Sequence, residues 1–286
     1  MSRRGGADLH VHTTHSDGFC SPSEVVTAAA GVGLSALAIT DHDTISALAV
    51  ARPEALRLGI ELISGVELTC EYEGREAHLL GYFLRDDDSD LLAATARLRA
   101  DRTERFAAMV DRLNGLGLTV DPKVVRQCFP RAALGRRHLA EYLARTRQAA
   151  SVRDAFDRFL ADDKPAAVAK TRLDAFQAIR LVHGAGGAIS WAHPPFNLRL
   201  ESLRTLANAG LDAIETAGPG VDKRVGRRFR DWAEALDLVP TAGSDFHAPD
   251  RPGRWVGSVV TPAEDVERLR ARRKTRLRAE AGDMLK

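Results

Sequence analysis

Short apolar runs and helical patterns alternate through the first third of the chain, and this alternation limits the possible folds more than any other feature. "DLHVHT", "ALAITDHD" and "ELISGVELTCEY" read as strands, with "SPSEVVTAAAGVG" and "SALAVARPEALRLG" as helices between them. Strand-helix-strand repetition builds a parallel sheet with helices packed on it. The first helix carries its own start signal: Ser21 caps, Pro22 suits the first turn and Glu24 completes a capping box, while Gly31 and Gly33 end it. Glu73-Gly74 reads as a tight turn that folds "EAHLLGYFL" back on the preceding strand as a hairpin.

The rhythm stops between about Leu91 and Lys164. "LLAATARLRADRTERFAAMVDRLNGLG" reads as one long amphipathic helix, and shorter helices follow at "PKVVRQCF", "GRRHLAEYLARTR" and "VRDAFDRFL". Residues 91–164 are expected to form a mostly α-helical insertion, with 1–90 and 165–286 as one discontinuous α/β domain. Strands at "GAISWAHP", "LDAIET" and "LVPTAGSDFH" resume the βα order. The closing helix "AEDVERLRARRKTRLRAE" reads as docked on the body with its basic side solvated; its rival reading is a nucleic-acid contact.

Forty-one basic against 39 acidic side chains leave a net charge of +2 over 286 residues, too little for a protein that coats nucleic acid or a membrane surface. Three widely spaced cysteines without a CxxC motif suggest neither a disulfide framework nor a thiolate zinc site. No apolar run approaches the roughly 20 residues needed to cross a bilayer, and "MSRRGGADLH" lacks the apolar stretch of a signal peptide. A soluble cytoplasmic protein, with no membrane association and no obligatory protein partner, is the expectation.

Histidines are the informative residues. His10, His12, His42, His78, His193 and His247 all lie on or just after an expected strand, as do Glu67 and Asp245. In a barrel of parallel strands the carboxyl ends meet at one mouth, so these side chains would converge. His10-x-His12 places both rings on one side of a strand, and Asp245-x-His247 repeats the spacing. An isolated HxH is as readily a pair of half-buried, hydrogen-bonded histidines as a metal site. Eight imidazoles and carboxylates at strand ends favour metal, and with Asp17 nine candidate ligands exceed the needs of one ion. Imidazole and carboxylate without thiolate suits zinc, manganese or iron rather than calcium.

"DLHVHTTHSDG", "AITDHDT", "GVEL", "HLLGY", "AISWAHP" and "GSDFHAP", in this order, resemble the PHP family, the polymerase and histidinol phosphatase domain. The insertion with "GRRHLAEYLA" and "DDKPAAV" is similar to the branch of 3',5'-nucleotide bisphosphate phosphatases and 5'-to-3' exoribonucleases. The resemblance implies a distorted (β/α)7 barrel, an insertion that covers the active site, and two or three divalent ions, Mn2+ first, with Zn2+ or Fe2+ as alternatives. By motif, one ion would take His10, His12, Glu67 and Asp245, a second Glu67, His78 and His193, and a third Asp17, His42 and His247. Glu67 and Asp245 would thus belong to the catalytic centre. His15 is a further candidate, as proton donor to the leaving oxygen or as a solvated loop histidine. Arg137 and His138, at a helix start, would hold the substrate phosphate, and Lys164 would either serve the same pocket or start a strand. Two stretches depart from the branch: Pro194-Pro195-Phe196-Asn197 after His193, and "ETAGPGVD" from Glu215.

The resemblance and the ligand pattern together imply a metal-dependent phosphoesterase acting on a small phosphorylated nucleotide or short oligonucleotide. The expected reaction removes the 3'-phosphate of a 3',5'-bisphosphonucleoside. The nearest rival removes nucleotides from the 5' end of short RNA, and histidinol phosphate hydrolysis fits the insertion less well. A catalytically idle nucleotide-sensing module is the alternative of another class, and the filling of every ligand position argues against it.

Overall fold

The computed structural model describes residues 4–130, 133–249 and 253–283. Its strands are β1 (Arg4–Val11), β2 (Leu34–Ile39), β3 (Glu61–Tyr72), β4 (Arg75–Tyr82), β5 (Leu173–Asp174), β6 (Ala188–Ala192), β7 (Ala213–Ala217) and β8 (Val239–Ala242). Seven of them form one sheet in the order β1-β2-β3-β4-β6-β7-β8, and the two-residue β5 pairs beside β3. The sheet curls almost closed. Val11 bridges Phe246 just beyond β8, and Thr261 bridges Ala7 while its hydroxyl accepts from the Ala242 amide at 2.8 Å. The chain is therefore an α/β protein built on a distorted seven-stranded barrel.

Not every strand is parallel. β4 runs antiparallel to both β3 and β6 because Glu73 and Gly74, with φ of 50° and 71°, make the two-residue turn expected between β3 and β4. Consequently the amino half of β4, not its end, lies at the mouth where the other strands finish. His78 sits opposite Thr69 on one side and Ala192 on the other.

Helices α1 (Pro22–Gly31), α2 (Ala47–Leu58), α7 (Ala175–Gly184), α8 (Leu200–Asn208) and α9 (Lys223–Ala235) cover the outside. The box at Ser21 forms, with the Glu24 amide donating to Ser21 Oγ and the Ser21 amide donating to the Glu24 carboxylate at 2.6 Å. These helices bury an apolar layer that includes Val26, Leu48, Ile179, Leu203 and Phe229 against the sheet. A second cluster, rich in alanine, draws on all seven strands, including Leu9, Ala38, Ile63, Leu80, Ala188, Ala213 and Val239. This cluster fills the barrel interior. Val266 and Leu269 of α10 (Ala263–Asp283) join it. Arg273 and Arg276 donate to the carbonyls of Gly186 and Gly187, just ahead of β6, so α10 closes the amino-terminal end and leaves the other mouth open.

Between β4 and β5 run α3 (Ser89–Gly115), α4 (Pro122–Cys128), α5 (Arg136–Arg145) and α6 (Val152–Ala155), the last continuing into one π turn over Phe156–Leu160. α3 spans two cores. Leu91 belongs to the layer outside the barrel, whereas Phe106, Met109 and Leu113 pack with Val125, Leu139, Leu143 and Leu160. Cys20, Cys70 and Cys128 are free thiols, and no helix among the described residues is long and apolar enough to cross a membrane.

Candidate metal centre

β1 delivers the first two histidines through an irregularity. Three steps along β1, from Asp8 to Val11, match two along β2, from Leu37 to Ile39, so one extra residue is bulged out beside His10. The two rings then face each other, with His10 Nε2 and His12 Nε2 3.2 Å apart. The chain beyond β8 runs hard against them: a Cβ on Gly243 would fall 2.3 Å from His10 Cβ, closer than two carbons approach. Asp8 holds that approach, accepting from the amides of Ser244 at 2.9 Å and Gly257 at 2.8 Å. Asp245 and His247 follow directly.

The loop after His12 is folded as tightly. A Cβ on Gly18 would lie 2.6 Å from the His12 carbonyl oxygen. Asp41 ties the loop down by accepting from the Thr13 amide at 2.7 Å, the Thr13 hydroxyl at 2.6 Å and the Ser16 hydroxyl. Asp17 is thereby turned inward, with Oδ1 3.4 Å from His247 Nε2 and 3.9 Å from His42 Nε2. His193 and Asp245 both have positive φ, 29° and 47°. Such backbone is unfavourable for residues with a Cβ and collects where a side chain must be aimed.

Glu67, fully buried in the middle of β3, is the hub. Its Oε1 lies 3.0 Å from His78 Nδ1 and 3.1 Å from His193 Nε2; its Oε2 lies 3.1 Å from His42 Nδ1, 3.2 Å from His12 Nε2 and 3.5 Å from His10 Nε2. Asp245 Oδ1 completes the first group at 3.5 Å from His12 Nε2 and 3.6 Å from His10 Nε2, while Oδ2 pairs with Arg254 at 2.7 Å. Three sets have ligand atoms within 4.8 Å of one another: His10 with His12 and Glu67; His42 with Glu67 and His78; and His12 with Asp17, His42 and His247.

The donors fit divalent ions on three grounds. Asp17 Oδ1, His42 Nδ1 and Glu67 Oε2 are buried without hydrogen-bond partners, a costly state that a cation would relieve. Imidazole and carboxylate are the donors such ions take. The nitrogens behind the cluster are also fixed: His10 Nδ1 meets Glu215 Oε1 at 3.0 Å, His78 Nε2 meets Glu76 Oε1 at 3.0 Å, and His247 Nδ1 meets the Asp245 carbonyl at 3.0 Å. Each such contact leaves the opposite nitrogen free to bind inward.

Electrostatics agree. Burial opposes charge throughout, yet His42 and His78 hold the Glu67 carboxyl well below the usual range, and His247 and His42 do so for Asp17. Conversely, burial is outweighed at His10, which Glu215 and Glu67 pull well above its ordinary value, and at His12 and His78, raised to about 10 and about 9. His42 goes the other way, pushed down by burial. A field that draws protons to imidazoles draws metal cations to the same lone pairs.

Above the cluster lies a cavity of about 230 Å³, lined by His42 and His78, by the carboxylates of Asp17, Asp43, Glu76 and Asp101, and by five cations, Arg102, Arg105, Arg136, Arg137 and Lys170. A cleft of about 910 Å³ adjoins it, sharing Glu76 and His78 and reaching past His193 to Asn197 and Arg199. Of the residues singled out in sequence, Arg137 borders the smaller cavity, and His138 lies buried behind it with Nδ1 accepting from the Gly135 amide at 3.2 Å. Two are not brought to the cluster. His15 Nδ1 bonds Ser46 Oγ at 2.7 Å in a separate cleft, and Lys164 pairs with its neighbour Asp163 at 3.1 Å. Lys170, paired with Glu76 at 3.0 Å, occupies the place expected of Lys164.

Sequence reasoning missed Glu215, Asp41, Asp8, Glu76 and Arg254 as supports, and Arg102, Arg105 and Lys170 as lining. Asp41 and Glu215 lie on or just after a strand, the same signal that selected Glu67 and Asp245. For Arg102 and Arg105 no signal exists, since arginines on an amphipathic helix read as a solvated face.

A model of the PHP domain matches residues 8–176. A 5'-3' exoribonuclease of Haemophilus influenzae is 34% identical over 249 residues, covering 85% of this chain and 90% of that protein. A 3',5'-nucleoside bisphosphate phosphatase of Chromobacterium violaceum is 32% identical over 259 residues, covering 87% and 90%. Among solved structures, a Bifidobacterium adolescentis protein described as a metal-dependent phosphoesterase superposes with a TM-score of 0.86 at 28% identity, covering 95% of this chain and 98% of that one. The chain belongs to the PHP domain family and is a metal-dependent phosphoester hydrolase.

Proposed function

We propose that the reaction is hydrolysis of the 3'-phosphate of 3',5'-bisphosphonucleosides, adenosine 3',5'-bisphosphate among them, to the nucleoside 5'-monophosphate and phosphate. The observation that carries this reading is the small cavity in which five cationic side chains face Asp17, His42 and His78. A cavity of that size takes a phosphoryl group, and that density of cations suits a doubly phosphorylated substrate. The Chromobacterium relative supports it by name.

Divalent ions, Mn2+ being the favoured species, would be held by His10, His12, Glu67 and Asp245, by Glu67, His78 and His193, and by Asp17, His42 and His247; they supply Lewis-acid charge to the phosphoryl group and lower the pKa of water toward neutrality. The chain's own residues do the rest. Glu67, with both oxygens engaged, sets the spacing between the ligand groups. Arg137, resting over the Phe19 ring at 5.3 Å and paired with Glu141 at 3.2 Å, offers its remaining N–H groups to the phosphoryl oxygens. Burial pushes the His138 imidazole down to about 4, so it is neutral at pH 7. Because Nδ1 accepts from Gly135, Nε2 carries the proton, and this N–H is buried without a partner, ready to donate to a phosphoryl oxygen. A cytoplasmic setting suits the three free thiols.

Removal of nucleotides from the 5' end of short RNA is the second reading, favoured by the adjoining cleft, which has room for a further nucleotide beyond His78 and His193. Metal analysis of the purified protein, with phosphate and nucleotide release measured on adenosine 3',5'-bisphosphate and on a short 5'-phosphorylated RNA, separates the two. Higher kcat/KM on the bisphosphate is expected. Preference for RNA would install the second reading, and tight nucleotide binding without turnover would revive the sensing module. Alanine at Glu67 or His193 should abolish either activity in a folded protein, by at least about a hundredfold; normal turnover in either variant would remove the metal cluster from the mechanism.

A further inference from the structure

Arg102 differs from the other cations of the cavity. Arg136 pairs with Asp162, Arg137 with Glu141, Lys170 with Glu76, and Arg105 donates to the Val168 carbonyl at 2.8 Å. Arg102 is half-buried, and no side-chain hydrogen bond or ion pair joins it to any described residue. Its guanidinium lies against Gly135, where a Cβ would come within 3.1 Å of Nη2 and 3.3 Å of Nε. The missing side chain is what lets the planar group rest there.

The position is adverse. Gly135 caps the amino end of α5, where backbone amides already carry positive partial charge. Burial, together with Arg136 and Arg102, pushes the Arg105 guanidinium down to about 10. Acids temper this charge, since Asp43 feels Lys170 and Arg102 and the cavity is also lined by Asp17, Glu76 and Asp101. Arg102 itself makes no ion pair with a described residue, and a half-buried guanidinium in that state suits an arriving anion.

Arg102 also borders two cavities. One is the cavity above the metal ligands. The other, of about 560 Å³, is lined by Arg99, Arg126 and the hydrogen-bonded pair His15 and Ser46, with no carboxylate among the described lining residues. Resting on the function proposed above, we infer that this second cleft is the subsite for the substrate's non-reacting 5'-phosphate, with Arg102 as the shared wall that holds it while the 3'-phosphoryl group lies over the metal ligands. One ribose separates the two phosphates of such a substrate, and one guanidinium separates the two cavities. His15 thereby acquires a place on the substrate's far side rather than at the leaving oxygen.

The test crosses a truncated residue with a truncated substrate. Steady-state kinetics of the Mn2+-loaded wild-type enzyme, Arg102→Ala and Arg102→Lys are compared on adenosine 3',5'-bisphosphate and on adenosine 3'-monophosphate, with thermal unfolding as the check on folding. In Arg102→Ala, KM for the bisphosphate should rise by about tenfold to a hundredfold with kcat little changed, while the loss on the monophosphate, which lacks the 5'-phosphate, should be smaller by about tenfold or more. Arg102→Lys should recover part of the loss. Equal losses on both substrates, or no loss on either, would overturn the subsite while leaving the proposed function in place. A wild-type enzyme inert on the bisphosphate would remove the function and the subsite together.

Discussion

Glu215 touches two of the cluster's histidines without offering an oxygen to an ion: Oε1 lies 3.0 Å from His10 Nδ1, and Oε2 accepts from the His193 amide. It orients one ring and fixes the strained backbone that carries the other. Glu215→Gln keeps the shape and removes the charge, so metal affinity, read by competition with a chelator, should fall by about tenfold to a hundredfold with the fold intact. Unchanged affinity would reduce Glu215 to packing. The contrast with His10 and His12 explains what was legible at this scale. A ligand histidine announces itself by residue type and position at a strand end. A supporting carboxylate does so only once its partner is located, a histidine's second nitrogen for Glu76 and Glu215 and loop amides or hydroxyls for Asp8 and Asp41, which is why all four stayed silent as supports. Lys164, read as serving the pocket or starting a strand, shows a related limit: lysines six residues apart in one irregular segment look alike until the chain's path shows that Lys170 lines the small cavity while Lys164 pairs with Asp163.

At the level of elements, two departures from regularity build the mouth, and only one was readable. The turn at Glu73-Gly74 reversed β4 as its composition foretold. The bulges of β1, after Arg4 and after Asp8, left no mark in the sequence, because a strand with an extra residue keeps the same apolar content. β1 and the chain leaving β8 then meet with no room between them, which assigns Gly243 a steric task distinct from the turn-making of other glycines. Gly243→Ala would drive a methyl group into His10. It should lower phosphoesterase activity and metal content together, by more than about tenfold, and cost stability of roughly 1–3 kcal/mol. Gly31→Ala is the control. Nothing lies within 4 Å of its added carbon at the end of α1, so it should be neutral or stabilising by up to about 1 kcal/mol in urea denaturation. Equal behaviour of the two variants would mean that the approach of β8 to His10 is not what positions the cluster. The alternation of strands and helices was legible for the opposite reason, since each strand needs its own apolar run and each covering helix its own period.

The molecule as a whole is closed at the end opposite its chemistry, and ion pairs rather than apolar burial alone hold that closure. Arg276 of α10 reaches Asp212 at 2.9 Å, His183 of α7 reaches the same carboxylate at 3.1 Å, and the Ile189 amide donates to it at 2.9 Å, so one buried acid joins three elements. The basic closing helix is thus spent on the barrel. Arg270 pairs with Glu61 and Arg272 with Asp237, both at 2.7 Å, which favours docking over the nucleic-acid contact weighed from its sequence. Burial alone would raise the Asp212 carboxyl, but His183, Arg276 and the Ile189 amide together hold it below the usual range. A carboxyl depressed in the folded state stabilises above its unfolded value of about 3.9, and the contribution is lost as pH falls through the folded value. Asp212→Asn should therefore cost roughly 1–3 kcal/mol at pH 7, where it leaves a half-buried guanidinium without its carboxylate, and the difference from wild type should narrow below about pH 4. Urea denaturation at both pH values measures this. Because Asp212 lies ahead of β7 and the candidate metal ligands gather at the opposite mouth of the barrel, kcat of the folded variant should stay within about twofold of wild type under conditions where it remains folded. A pH-independent loss of stability would show that Asp212 acts by packing, and a fall in kcat would show that the closed end and the open mouth are coupled.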